Sequence, residues 1–253
     1  MLRPRVIPIL TLDNRSLVKT LRFRDPIYLG DPVNALRIFD TKEVDEIVIL
    51  DITASKEGRE PNIGFVTELA GECFMPVAYG GGISSVETMR RVLEAGVEKI
   101  AVNTAALRDP ALVGAAAREF GSQAVIASLD VTKSRLGQVR VADTSSRRPK
   151  ATTDNPVAWA TSLVTRGAGE LLLTSVDRDG TASGYDLELV SSVASAVHVP
   201  VIACGGAGSE QHLRDVLRAG AAGAGAGRMF VTHGKHRAAL VSYLPPETIA
   251  NLV

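Results

Sequence analysis

Eight short apolar runs punctuate the chain: VIPIL at 6–10, EIVILDI at 46–52, MPVAYG at 75–80, KIAVNT at 99–104, AVIASLDV at 124–131, ELLLTSV at 170–176, VPVIACG at 199–205 and AGAGAG at 222–227. Most are apolar without alternation, the mark of parallel strands buried on both faces. Helix-like segments separate most of them: PVNALRIFDTKEV, NIGFVTELAGEC, SVETMRRVLEAG, PALVGAAAREFG, PVAWATSLVTRG, LELVSSVASAV and SEQHLRDVLRAG. Eight strands alternating with helices over about 250 residues predict a (β/α)8 barrel, an α/β fold forming one domain over 1–253. An open doubly wound sheet is the other candidate, but no G-x-G-x-x-G follows the first strand.

An internal repeat points the same way. Pro76-Val77 with Gly81-Gly82 returns as Pro200-Val201 with Gly205-Gly206, an offset of 124 residues. The same offset pairs Ser85 with Ser209, Arg90 with Arg214, Ala95-Gly96 with Ala219-Gly220, Pro32-Val33 with Pro156-Val157, and Glu46 with Glu170. The expectation is two fused half-barrels, about 1–124 and 125–253, with similar ligand sites facing each other across the top.

Composition narrows the class. Lys plus Arg and Asp plus Glu both number 28, and aromatics are 4% of 253 residues. That balance lacks the basic excess of a nucleic-acid wrapper and the aromatic platforms of a single-strand binder. Two cysteines, Cys73 and Cys204, are too few for a disulfide scaffold. Arg3, Pro4, Arg5 and Pro8 interrupt the first apolar run, which fits neither a signal peptide nor a membrane span. A soluble cytoplasmic protein that uses no membrane and no nucleic acid is expected.

Four sets of residues carry candidate chemistry. Gly80-Gly81-Gly82 and Gly205-Gly206-Ala207-Gly208 each follow a strand and precede a helix opening at Ser84-Ser85 or Ser209. Such turns let an anion approach backbone N–H groups at a helix N-terminus, although plain turn geometry explains them as well. Asn103-Thr104 and Gly227-Arg228 lie beside them, so a ligand with a phosphate at each end is favoured. Asp51, Asp130, Asp177 and Asp179 stand at strand ends, where side chains reach the active face of a barrel. Capping or loop bonding competes for Asp51 and Asp177, while Asp130 in SLDVTK has no evident capping task and suits acid/base work.

The third set, Arg5, Glu46, Lys99 and Glu170, stands at strand starts, where two cations and two anions converge on the barrel bottom. Stabilising ion pairs are the plain reading, with Asp45 and Glu98 adding acidic groups nearby. The fourth set is weaker. His233 and His236 in HGKHR read as a solvated basic loop rather than a metal site, Cys204 as a ligand-facing or packed thiol, and the polar stretch 134–150, with Arg147, Arg148 and Lys150, as a mobile excursion near the site. No metal and no cofactor is expected.

Seven stretches, LVKT, ILDITAS, YGGGI, VNTAAL, FGSQAV, LLTSVDRDGT-x-SGYD and GGAGS, spread over essentially the whole chain. On them the sequence resembles the cyclase subunits of imidazole glycerol phosphate synthase. The resemblance implies a glutamine amidotransferase. A separate glutaminase subunit docks on the barrel bottom, and its ammonia crosses the interior to a bis-phosphorylated ribotide at the top. Two aspartates act there as acid/base groups, giving imidazole glycerol phosphate and aminoimidazole carboxamide ribotide. Carried over, Asp130 matches one catalytic aspartate and Lys19 the lysine of a mobile first loop. Gly82, Asn103 and Thr104 match one phosphate site, and Asp179, Gly180, Gly205, Gly206 and Gly227 the other. Asp51 joins the substrate-binding set. Arg5, Glu46, Lys99 and Glu170 fall on the family's ionic gate, which turns the plain ion-pair reading into an ammonia entrance.

Two positions depart from that pattern. The other catalytic aspartate closes strand one, where this chain has Thr11, with Asp13 two residues on. Arg228 stands where a small hydroxyl residue is usual near a phosphate. MLRPRVIPIL, RIF-x-x-KEVDE, ECFMPVAYGGG, VIACGGAGS and HGKHRA resemble paralogues associated with acetamidino modification of surface-polysaccharide sugars, in which a third, amidating protein takes part. That branch is favoured. The histidine-pathway cyclase is the first alternative and a non-catalytic ammonia conduit the second.

Overall fold

The computed structural model describes residues 5–134, 136–146, 150–152, 154–234 and 238–252. Eight strands form its centre: β1 (Arg5–Asp13), β2 (Ile47–Asp51), β3 (Val77–Gly80), β4 (Lys99–Val102), β5 (Val125–Lys133), β6 (Glu170–Ser175), β7 (Val201–Cys204) and β8 (Gly223–Ala226). Each pairs in parallel with the next, and β8 pairs in parallel with β1. The sheet is therefore closed, and the expected (β/α)8 barrel is the fold.

Seven helices pack around it: α1 (Pro32–Thr41), α2 (Ile63–Ala70), α3 (Val86–Glu94), α4 (Ala111–Phe120), α5 (Pro156–Thr165), α6 (Leu187–Ala194) and α7 (Glu210–Arg218). Six of the seven start at a capping side chain, in order Asp31, Asn62, Ser85, Asn155, Asp186 and Ser209, which accepts a bond from an amide of the first turn. Two cores result. Ile7, Ile9, Val48, Ala78, Ala101, Ile126, Leu172 and Ile202 fill the barrel interior, while Leu10, Leu36, Phe39, Ile49, Leu69 and Met89 belong to the layer between strands and helices. AGAGAG fits because its alternate residues divide between them: Ala224 and Ala226 join the outer layer. Gly225 is hemmed in, since a Cβ there would stand 2.9 Å from the Ala203 carbonyl and 3.3 Å from Ile9 Cδ1.

Two extensions at the top depart from the sequence expectation. β1 runs past Leu10 to Asp13 and continues into antiparallel strands Ser16–Leu21 and Arg24–Gly30. β5 continues to Lys133 and pairs with Val139–Asp143, so the polar stretch expected to be a loose excursion is in part an antiparallel ribbon. Lys150 ends that ribbon opposite Asp143, while Arg147 and Arg148 lie outside the described residues. Among the described residues no helix is long and apolar enough to cross a membrane.

Candidate functional site

At the bottom of the barrel the four strand-start charges form one closed ring. Arg5 donates to Glu46 Oε2 at 2.9 Å and to Glu170 Oε1 at 2.6 Å; Lys99 donates to Glu46 Oε1 at 2.7 Å and to Glu170 Oε2 at 2.8 Å. All four carboxylate oxygens are spent on cations. Burial opposes the charge on Lys99, but bonds and attraction from Glu170 and Glu46 outweigh it and raise its pKa. Just below, Glu98 accepts the Val77 amide at 2.6 Å, a brace for the start of β3.

At the other end the strand tips surround a cleft lined among others by Thr11, Asp130, Lys19, Asn103 and Cys204. Asp130 is 6% exposed and receives Asn103 Nδ2 at 2.6 Å and Thr144 Oγ1 at 2.8 Å, both at Oδ2. Burial, only partly offset by these donors, pushes its carboxyl up to about 6, where a group exchanges protons near neutral pH. Asn103 lines the cleft and keeps its buried Oδ1 without a partner among the described residues. Thr11 sits at the rim with its hydroxyl donated to the Val18 carbonyl, and Asp13 accepts Thr53 Oγ1 at 3.1 Å.

Neither glycine turn leads into a bare helix end. α3 and α7, the helices that follow them, are capped by Ser85 and Ser209, so their first amides are partly spent. The short helices one strand further on, Thr104–Arg108 after β4 and Arg228–Val231 after β8, have no side-chain cap and keep the amide-rich ends that suit an anion. Gly82, Asn103 and Thr104 open onto the cleft. Gly82 has φ +72, and a Cβ there would lie 2.4 Å from the Arg59 carbonyl, so only glycine fits.

On the β6–β8 side the hairpin forms a roof. Lys19 pairs with Asp179 at 2.8 Å, Thr20 Oγ1 donates to the same carboxylate at 3.1 Å, and the Arg22 amide donates to the Asp179 carbonyl at 2.9 Å. Burial works against the Lys19 charge, and Asp179 more than restores it. Gly180, φ +69, lies under the Thr20 carbonyl, 2.4 Å from where a Cβ would be, and Arg228 donates to the Gly180 carbonyl. Gly205 and Gly206 pack on the Ser175 and Gly184 backbones, and Gly227 lies beside Lys19. Lys19 and Asp179, read separately from sequence, are thus partners.

Other candidates resolve to supporting roles. Asp51 Oδ1 accepts the Thr53 and Ala54 amides at 3.0 Å each, and Oδ2 accepts Arg59 at 3.2 Å; it caps the turn after β2 while lining the cleft. Asp177 accepts Thr132 Oγ1 at 3.1 Å and the Lys133 amide at 2.7 Å, bracing the ribbon. His233 is exposed, and His236 lies outside the described residues. Sequence reasoning missed Thr144 and Lys56, both of which line the cleft. Thr144 is 14 residues from the aspartate it touches, and only the ribbon pairing of β5 could have revealed it. Lys56 follows directly on the ILDITAS stretch.

The profile of a family described as histidine biosynthesis protein matches residues 5–236. A Pseudomonas aeruginosa protein provisionally named imidazole glycerol phosphate synthase subunit hisF2 is 50% identical over 244 residues, 96% of each chain. A Leptospira borgpetersenii protein, provisionally named imidazole glycerol phosphate synthase subunit HisF, is 42% identical over 247 residues, again 96% of each. The imidazole glycerol phosphate synthase subunit HisF of Gluconacetobacter diazotrophicus is 43% identical over 230 residues, 91% of this chain and 88% of its own.

Proposed function

This chain belongs to the histidine biosynthesis protein family, and on that footing we propose that it is the ammonia-using barrel of a glutamine amidotransferase complex. A glutaminase subunit docks below the ring, ammonia enters past Arg5, Glu46, Lys99 and Glu170, and a phosphorylated substrate receives it at the cleft. The observation that carries this reading is one barrel interior with a closed ionic ring at its bottom and, at its top, a buried Asp130 whose carboxyl is pushed up to about 6. Chemistry at Asp130 has no need of four charges at the far end; an entrance does. Phe74, 96% exposed just before β3 on the bottom face, is the kind of aromatic anchor a docked partner buries. Asn103, Thr104 and Gly82 hold one phosphate; Gly180, Gly205, Gly206, Gly227 and Arg228 hold the other once Lys19 and the hairpin yield.

The finer reading is the acetamidino-sugar branch in lipopolysaccharide biosynthesis, with a third, amidating protein. It is favoured by Thr11, a hydroxyl already donated to Val18, where the family's cyclases carry a carboxylate. The test supplies the phosphoribulosylformimino ribotide and ammonium salt to wild type, Thr11→Asp and Asp130→Asn. Slow wild-type turnover, raised in Thr11→Asp and abolished in Asp130→Asn, is expected. Wild-type turnover equal to that of ordinary family cyclases overturns the branch in favour of the histidine-pathway enzyme. Turnover of either substrate only inside the complex favours the conduit.

A further inference from the structure

Six titratable side chains line the cleft: Lys19, Asp51, Lys56, Asp130, Asp179 and Cys204. Neighbours or burial account for four of them. Lys19 and Asp179 are paired, and Asp51 is spent on its turn and on Arg59. Burial pushes the Cys204 thiol up to about 12, so it keeps its proton. Two groups remain. Asp130 has only the neutral donors Asn103 and Thr144 in contact. Lys56, on the short helix Ala54–Glu57 after β2, makes no hydrogen bond or ion pair among the described residues.

The backbone that carries Lys56 is fixed from both sides. Asp51 caps the turn that starts its helix, and the adjacent Ser55 Oγ accepts the Gly82 amide at 3.3 Å, tying the helix to the β3 turn. Its ammonium is drawn to Asp130 and to Asp13, while the acid next to it, Glu57, is held by Arg59 at 2.6 Å. We propose that Lys56 is the second proton-exchanging group of the cleft, working opposite Asp130 in the role that Thr11 does not fill. The proposal rests on the reading of the cleft as the place where ammonia meets its acceptor.

Burial lowers the proton affinity of Lys56 and raises that of Asp130, so the two move toward each other, the arrangement acid/base chemistry needs. The protons balance for ammonia adding to a carbonyl. As the C–N bond forms, the Asp130 carboxylate takes a proton from the attacking nitrogen and the Lys56 ammonium gives one to the carbonyl oxygen. As water leaves, Asp130 returns its proton to the departing hydroxyl and Lys56 takes one from nitrogen. The products are an imine-type C=N and water, and both groups are back in their starting forms.

The test follows the side-chain carbons of labelled lysine and aspartate by NMR across pH, in the full chain and in Lys56→Met, Lys56→Arg and Asp130→Asn. Losing the Lys56 charge should raise the Asp130 midpoint, and losing the Asp130 charge should lower the Lys56 midpoint, each by about one unit. Midpoints that ignore each other overturn the proposal. In ammonium-driven turnover of the ribotide, Lys56→Met should lose about 10²–10⁴-fold in kcat with KM kept. Lys56→Arg should not recover it, because a guanidinium does not give up its proton; recovery by arginine overturns the proposal, since charge alone would then suffice. The titrations need no substrate, so a wild type inert toward the ribotide corrects the substrate reading while the midpoints still decide for or against Lys56.

Discussion

At the bottom of the barrel Glu46 and Glu170 each divide their two oxygens between Arg5 and Lys99, whereas at the top Asp130 meets two neutral donors at a single oxygen and no cation. Both places are buried carboxylate sites, at opposite ends of one barrel. The ring balances its charges, so removing one partner leaves another stranded. The cleft leaves Asp130 short of compensation, and its proton affinity rises as a result. Backbone conformation follows the same division: of the six non-glycine residues with positive φ among the described residues, Asn14, Arg22, Phe23, Asp25 and Ala182 lie in the hairpin and loops at the top, and Glu43 alone lies elsewhere. Unrelieved charge and strain gather where chemistry is expected, and satisfied contacts gather where a fixed opening is expected.

The largest effect should come from Asp130→Asn, with opposite signs in two measurements. Turnover should fall by about 10²–10⁴-fold, because an amide cannot exchange the proton. Stability should rise. Burial first of all lifts the folded-state pKa from 3.8 to about 6, so the wild-type fold loses stability as pH rises from the unfolded value through about 6. Denaturation at pH 8 should therefore find the variant more stable by up to about 3 kcal/mol, at about 1.4 kcal/mol per unit. The gap should close below pH 4. A variant that is less stable at every pH would place Asp130 among the structural carboxylates, beside Glu46.

Next in size are changes to the ring. Glu46→Gln or Lys99→Met leaves a buried charge with one partner fewer. The two cations are open to solvent from below, at 27% and 22% side-chain exposure, so the cost should be about 1–3 kcal/mol rather than the full price of a buried pair. With the glutaminase bound, glutamine-driven product formation should fall while ammonium-driven turnover stays near wild type. Equal loss of both would erase the distinction between the two ends.

How far the sequence revealed this division depended on the range of the contacts. The eight strands, seven helices and four ring residues were legible because each is marked by its own neighbours: an apolar run, a capping residue, a charge at a strand start. The hairpin after β1 was not. Its outer strand, Arg24–Gly30, leaves Ile27 and Tyr28 exposed and so has no buried face to read, and its turn carries Arg22 and Phe23 instead of the Asn-Gly that marks such turns. The donors to Asp130 and the pairing of Lys19 with Asp179 join residues 14 to 160 positions apart, which no spacing rule reaches. Serine caps on α3 and α7 were visible, but that they shift the uncapped helix ends to Thr104 and Arg228 emerged only from the fold.

The smallest effect concerns that turn. Arg22 and Phe23 stand at φ +52 and +60 between the paired residues Leu21 and Arg24, the left-handed pair of a two-residue hairpin. Side-chain-bearing residues adopt this region at a cost of about 1–2 kcal/mol each, and asparagine at less. Phe23 lines the cleft, whereas Arg22 is exposed, and the contact it makes to Asp179, through its amide, belongs to the backbone. Arg22→Asn should therefore keep every contact of the hairpin and relieve part of the strain, raising stability by about 0.5–1 kcal/mol. In a chain of this size that is about 1–4 °C in Tm, with slower amide exchange in the hairpin alone. An unchanged Tm would mean that the Asp179 contacts hold the turn without strain, and the top of the barrel would then differ from the bottom in its charges only.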